Sequence, residues 1–148
     1  MKINFSQILC VCLLSISNIT LAANNTPAGL WKTIDDNTGK PRSLIRITET
    51  NGEYSAVIEK GLLASDTGDA VCDKCTDERK GKRIIGMTIV NGIKQKGDDF
   101  EGGEILDPDN GKTYRCKMKL DPTGNKLEVR GFIGISLFGR SQTWLREE

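Results

Sequence analysis

Residues 103–130 read GEILDPDNGKTYRCKMKLDPTGNKLEVR, and strand, turn, strand, turn, strand follow one another through them. The turns are Asp107-Pro-Asp-Asn-Gly111 and Asp121-Pro-Thr-Gly-Asn125, both built from residues that reverse a chain. Between them, residues 112–120 alternate. Tyr114, Cys116, Met118 and Leu120 share one face, and Arg115, Lys117 and Lys119 share the other. That pattern belongs to an antiparallel sheet with one face in a core and one in water.

The same punctuation recurs outward from this segment. Residues 30–34 form a first strand, closed by Asp35-Asp-Asn-Thr-Gly39. Residues 43–48 and 53–60 flank Asn51-Gly52, the strongest short hairpin signal a sequence carries. Residues 84–90 run into Asn91-Gly92, either a second hairpin or a bulge within a longer strand. Residues 99–106 follow, and the adjacent glycines Gly102 and Gly103 signal a bend or bulge. Residues 140–146 close the chain. No stretch shows helical periodicity. About eight strands in sequential antiparallel order predict an all-β single domain, an up-and-down β-barrel without free edges. A two-sheet sandwich is the alternative.

Residues 1–22 read as a signal peptide: Lys2 supplies the positive start, residues 8–14 the apolar stretch, and Thr20-Leu-Ala22 the small residues a signal peptidase reads. Cleavage after Ala22, or after Ala23, makes the expected location periplasmic or secreted. The apolar stretch is too short to span a bilayer and nothing later is long enough, so no transmembrane segment is expected. Cys10 and Cys12 leave with the peptide. Residues 23–28 form a short polar leader and 29–148 the barrel, a size sufficient for one core.

Without Lys2, the remaining 20 basic residues match the 20 acidic ones. A near-neutral domain argues against a nucleic-acid partner, which requires a basic face. The one basic cluster, residues 79–83, follows Asp73, Asp77 and Glu78 and reads as a solvated loop of mixed charge. The chain has no histidine. Ser-His-Asp and Cys-His nucleophile systems are therefore excluded, as are histidine metal sites.

Cys72-Asp-Lys-Cys75 lies in a long connection, residues 61–83, of a length that is usually functional or pinned. A redox pair would need a helix starting at its first cysteine, and residues 76–81 offer no apolar face to dock one. A zinc site would need four ligands, and only Cys116 remains. In an oxidising compartment the expectation is a structural disulfide between Cys72 and Cys75. Thiol oxidoreductase activity through that pair is the enzymatic alternative. Cys116, on an apolar strand face, reads as a small buried hydrophobe. Asp107 to Gly111 looks like half a calcium loop, but its glycine falls one place early and Met118 stands where the bidentate glutamate belongs. The residues call for no metal and no cofactor.

Residues 131–139, Gly-Phe-Ile-Gly-Ile-Ser-Leu-Phe-Gly, are the most apolar stretch after the signal. They suit a portal for an apolar ligand, a surface that touches lipid, or a plug for one barrel end. Large apolar side chains are usually buried, so a plug is the expectation. Glu104 either faces inward, with Arg130 or Arg140 as partner, or faces water because the glycine pair bulges the strand. Trp31 and Trp144 stand on the first and last strands, which pair in a closed barrel.

Gly29-Leu-Trp31, Cys72-Asp-Lys-Cys75, the run from Gly103 to Cys116, Leu127-Glu-Val-Arg-Gly131 and Gly139-Arg-Ser-Gln-Thr-Trp-Leu-Arg146 resemble, in that order, the exported bacterial family catalogued as domain of unknown function 2147. The resemblance implies a secreted single domain and carries over no catalytic residue. The opening Gly-x-Trp with a late arginine is also similar to the lipocalin and calycin barrels. That likeness implies a structural role for Trp31 packed against Arg146 or Arg140.

These readings point to a non-enzymatic binding module for an apolar or amphipathic small molecule. A hollow barrel would be lined by Trp31, Tyr54, Tyr114, Cys116, Met118 and Trp144, with Phe132, Ile135 or Phe138 near an opening. The alternative is a structural or interaction protein with a filled barrel and a protein partner in the cell envelope.

Overall fold

The computed structural model describes residues 25–148. The expected signal peptide, 1–22, and its cleavage site lie outside the described residues. Eight strands form a closed barrel in sequence order: β1 (Gly29–Ile34), β2 (Pro41–Thr50), β3 (Glu53–Gly61), β4 (Thr88–Lys96), β5 (Asp99–Asp107), β6 (Lys112–Leu120), β7 (Lys126–Phe132) and β8 (Gly139–Arg146). All neighbouring strands are antiparallel. Asn51 and Gly52, with φ of 54° and 81°, make the tight turn between β2 and β3, which needs positive φ at both positions.

The fourth strand differs from the expectation. Residues 84–87 precede it as a bend, in which Gly86 N–H donates to Ile58 O and Ile58 N–H to Met87 O. Asn91-Gly92 is the bulge and not the hairpin of its two expected readings, for the β3–β4 register shifts across it. β4 continues through it, and the chain reverses at Gly97-Asp98.

Side chains on the inner wall form one core that includes Trp31, Ile47, Ile93, Met118, Leu127 and Trp144, each at most 1% exposed. The outer wall carries cross-strand ion pairs such as Arg46–Glu59 and Lys117–Asp99. Apolar inside and charged outside is the reverse of a membrane-spanning barrel. Among the described residues no helix is long and apolar enough to cross a membrane.

Closure at β1 and β8 is a thin seam: Trp31↔Arg146 and Lys32↔Leu145 are paired in register, and Leu30 donates to Glu148 O and accepts from Glu147 N–H. Side chains reinforce it. The Arg146 guanidinium lies over the Trp31 ring, 4.2 Å from its centroid. It donates to the carbonyls of Thr26, Ala28 and Gly124. Trp31 Nε1 donates to Pro27 O at 2.8 Å. The stretch expected to be only a polar leader thus caps one barrel end, with Pro27 buried. Arg140, the other candidate partner of Trp31, sits at the opposite end and pairs with Asp36 instead.

The long connection before β4 is strapped against the wall. Cys72 and Cys75 are bonded to each other and have no exposed surface. Cys72 Sγ lies 3.8 Å from Pro108 O, Lys74 Nζ donates to Asp109 O, and Arg79 donates to Thr113 Oγ1. Gly111, at φ +71°, has its Cα so near the strap that a Cβ would fall 2.0 Å from Lys74 O. The turn therefore tolerates only glycine on two counts.

Removing the Trp31 side chain empties a fully buried site, and Trp31→Ala should destabilise by about 3–5 kcal/mol in chemical denaturation. Arg146→Ala should lose about 1–3 kcal/mol, because three carbonyls are left without their donor. A Trp31→Ala loss below about 1 kcal/mol, as at an ordinary surface position, would contradict this closure.

Burial pushes the Cys116 thiol up to about 12, from 9.0 for the unperturbed group. Between those values the unfolded thiol has lost its proton and the folded one has kept it. Stability contributed by the neutral thiol is therefore lost as pH rises through the window. Wild type should lose about 1.4 kcal/mol per pH unit more than Cys116→Ala there. Urea titrations at stepped alkaline pH measure this, and equal slopes would mean that the thiol is not buried in solution.

Candidate functional site

The two barrel ends differ. One carries the tight turns after β2, β4 and β6 together with the capping segment 26–28. The other gathers the connections after β1, β3, β5 and β7. Arg42 on β2 joins Asp35 and Asp109 there, and Asp36 accepts from Arg140 and Gln142. Just inside this open end the wall turns polar. Thr33 Oγ1 and Ser43 Oγ are 2.7 Å apart, and Tyr114 accepts from Asn110.

The apolar stretch after β7 stands at this end, and it is not a plug. Ile133, Ile135, Leu137 and Phe138 are 61–75% exposed. The reason is the loop's backbone. Arg115 on β6 and Arg130 on β7 both face outward, since Arg115 pairs with Phe132 and Arg130 with Lys117. Arg115 donates to Gly134 O, and Arg130 donates to Ser136 O and Leu137 O. These guanidiniums draw the loop over the outer wall and away from the mouth. Phe132 lies beneath it at 9% exposure, with Arg115 Cζ 5.4 Å from its ring centroid.

Below Phe132 the outer wall contains a half-open hollow of about 370 Å³, lined by Lys94, Lys96, Gly102, Arg115, Cys116 and Phe132 among others. Its origin is a bulge. The β5–β6 register shifts between Glu101 and Gly103, and Gly102 takes φ +91°. A Cβ on Gly103 would fall 2.2 Å from Asn91 O. Two successive positions of β5 therefore lack side chains, and the wall is thin over Cys116, which stays buried. The rim is cationic. Lys96 pairs with Glu101 at 2.9 Å, holding that carboxyl below its ordinary range. Arg115 and Arg130 enter no ion pair among the described residues. A smaller hollow, about 230 Å³, adjoins Lys117, Met118, Arg130 and Ser136.

The same bulge settles Glu104. Phe100 pairs with inward Met118, Gly103 with inward Cys116, and Glu104 with outward Arg115. Glu104 is exposed to water, on the outer wall, and neither Arg130 nor Arg140 is its partner.

Of the residues expected to line a hollow interior, Trp31, Tyr54, Met118 and Trp144 are 0–8% exposed and belong to the packed core. Tyr54 meets Phe100 edge to face at 5.3 Å. Tyr114 is half-buried near the open end, and Phe138 projects outward on the loop. The two hollows described above lie on the outer wall. Sequence reasoning missed Lys94, Lys96 and Arg115. The glycine pair was the available signal, since it marked where the wall is thin.

A solved structure, protein HP1028 from the human pathogen Helicobacter pylori, is similar to this chain with a TM-score of 0.71 and 18% sequence identity, over 82% of this chain and 82% of that one. That protein is described as belonging to the lipocalin family, and at this identity the likeness shows the fold alone. No curated protein matches. Residues 29–146 match the family described as uncharacterized protein conserved in bacteria (DUF2147), which spans the whole barrel from β1 to β8. The chain belongs to that family.

Proposed function

We propose that the protein is a non-enzymatic binding module for an apolar or amphipathic small molecule, and that the molecule is taken on the outer wall at the bulge of β5. The carrying observation is the hollow of about 370 Å³, with Phe132 and Cys116 on its apolar side and Lys94, Lys96 and Arg115 on its rim. That volume falls within the usual range for small-molecule sites, and an apolar floor with a few charged groups orients a guest with an anionic head. The buried Cys72–Cys75 bond supports a structural role over thiol transfer, because no attacking thiolate reaches a sulfur with no exposed surface. One observation favours a second reading, an interaction protein of the envelope: Trp31, Tyr54, Met118 and Trp144, the residues expected to line a cavity, belong to the buried core cluster.

Anilinonaphthalene sulfonate, anionic and aromatic, should bind saturably at one site and raise the melting temperature by mass action. Arg115→Glu should weaken it about tenfold, as expected for losing a charged hydrogen-bond donor, and leave neutral phenylnaphthylamine unaffected. If neither probe saturates and the melting temperature stays put, the small-molecule reading is wrong and the interaction protein takes its place.

We also propose that the chain is exported and begins at Ala23 or Asn24 after cleavage. The motivation is Lys2, the apolar residues 8–14 and Thr20-Leu-Ala22. Intact-mass measurement of protein from its native cell envelope decides the matter, and recovery of Met1 to Ala22 would refute it.

A further inference from the structure

The loop 133–138 presents four large apolar side chains to solvent, and its backbone is held in place from below. We propose that this loop, with the arginines beneath it, seats the barrel by its outer wall on an anionic lipid bilayer surface.

The first ground is preorganisation. Arg130 Nε and one terminal nitrogen take Ser136 O and Leu137 O, and Arg115 takes Gly134 O. Phe138 N–H donates to Ile135 O. A loop so tied loses little freedom when it docks. The second ground is backbone satisfaction. Apolar surroundings penalise unpaired carbonyls, and four of the loop's carbonyls already have donors. Its side chains can therefore enter the headgroup boundary, a depth of roughly 5–10 Å, without stripping water from bare backbone acceptors.

Charge is the third ground. From Val129 to Ser141 the chain holds Arg130 and Arg140 and no aspartate or glutamate. Arg115 and Arg130, directly under the loop, lack a carboxylate partner among the described residues. Lys94 and Lys96 line the groove farther from the loop, toward the turn after β4, where Glu53 and Glu101 pair with them. The nearby acids are Glu104, opposite Arg115 in register; Asp36, held by Arg140; Glu53 and Glu101, held by Lys94 and Lys96; and Asp99 and Glu128, in the hollow beside Arg130. With the apolar tip at the boundary of headgroups and acyl chains, the unpaired guanidiniums behind it stand at the level of the anionic headgroups.

Area argues against a protein partner of ordinary size. A fully buried aromatic contributes about 150–250 Å² and an aliphatic less. Four such side chains, 61–75% exposed, fall short of the roughly 800 Å² that each partner of a standard interface buries. A lipid surface sets no such threshold.

This inference stands apart from the small-molecule reading, and a test without any probe separates them. Protein carrying the N-terminus found in the cell is floated through a density gradient with vesicles of phosphatidylethanolamine and phosphatidylglycerol, or of phosphatidylcholine alone. Wild type should float with the anionic vesicles and much less with the neutral ones. Adding salt should weaken the association. Leu137→Asp combined with Phe138→Asp should lower partitioning by about tenfold or more, with an unchanged melting temperature. Lys94→Gln, which leaves the loop's hydrogen bonds intact, should lower it about fivefold or less. Equal flotation of wild type and the double aspartate variant would overturn the proposal. So would equal binding to both vesicle types, no flotation at all, or loop-dependent dimerisation in sedimentation without lipid.

Discussion

The contact between Arg146 and Trp31 is the constraint on which the barrel depends. An antiparallel sheet of eight strands has two edges, and only pairing β1 with β8 removes them. The backbone contributes two paired positions to that seam, few for a join that defines inside and outside for every strand. Leu30 adds two backbone bonds beyond them, donating to Glu148 O and accepting from Glu147 N–H, and one guanidinium ties the join to the cap. It lies over the indole, binds Thr26 O and Ala28 O on the segment that caps the barrel, and binds Gly124 O in the turn before β7. Three pieces of chain distant in sequence thus meet on one planar ion, whose donors fan out in fixed directions. Burial draws its pKa down, yet hydrogen bonds to carbonyls satisfy it without a carboxylate. Lys32 with Glu147 and Arg46 with Glu148 extend the join on the outer side.

Parity along strands made most of this legible. Tyr114, Cys116, Met118 and Leu120 define the inner face of β6, and register carries that assignment to every neighbour. Strand number, antiparallel order, the hairpin at Asn51-Gly52 and the bonded cysteines could be read from local pattern. Parity fails where a bulge intervenes. In β5, Phe100, Glu104 and Leu106 have the same parity, so alternation alone predicts an inward Glu104. The outcome depends on β4, where Asn91 O comes within 2.2 Å of the place a Gly103 Cβ would occupy. That is a long-range approach between backbones, and no window on β5 contains it. The start of β4 was illegible for a related reason: Ile84 and Ile85 have strand composition, but the 84–87 bend joins β3 through Ile58.

The loop after β7 shows a different limit. Composition assigns its isoleucines, leucine and phenylalanine to a core, since such residues usually lie there. Backbone carbonyls decide otherwise. Arg115 and Arg130 offer donors on the outer wall, and a chain that takes them must leave the mouth. Hydropathy records what side chains prefer and says nothing of where the nearest donors stand. Arg115 and Arg130 occupy ordinary outward positions in their strands, so their reach to Gly134, Ser136 and Leu137 could not be inferred from spacing.

A shared barrel does not place the binding surface in the barrel's centre. Here the centre is occupied by two indoles, Met118 and branched aliphatic side chains, while β5 thins the wall with two glycines. Filling the interior and opening the exterior have one structural cause each, and they are nearly independent. The core is fixed by inward residues whose loss would leave cavities. The groove is fixed by backbone approach and by outward charges, which contribute little to stability singly because water competes for them. Substitution at Lys94, Lys96 or Arg115 can therefore alter recognition while the barrel persists. Change at Gly103 cannot, because any side chain there would push β4 away from β5 and reopen the wall that the bulge depends on.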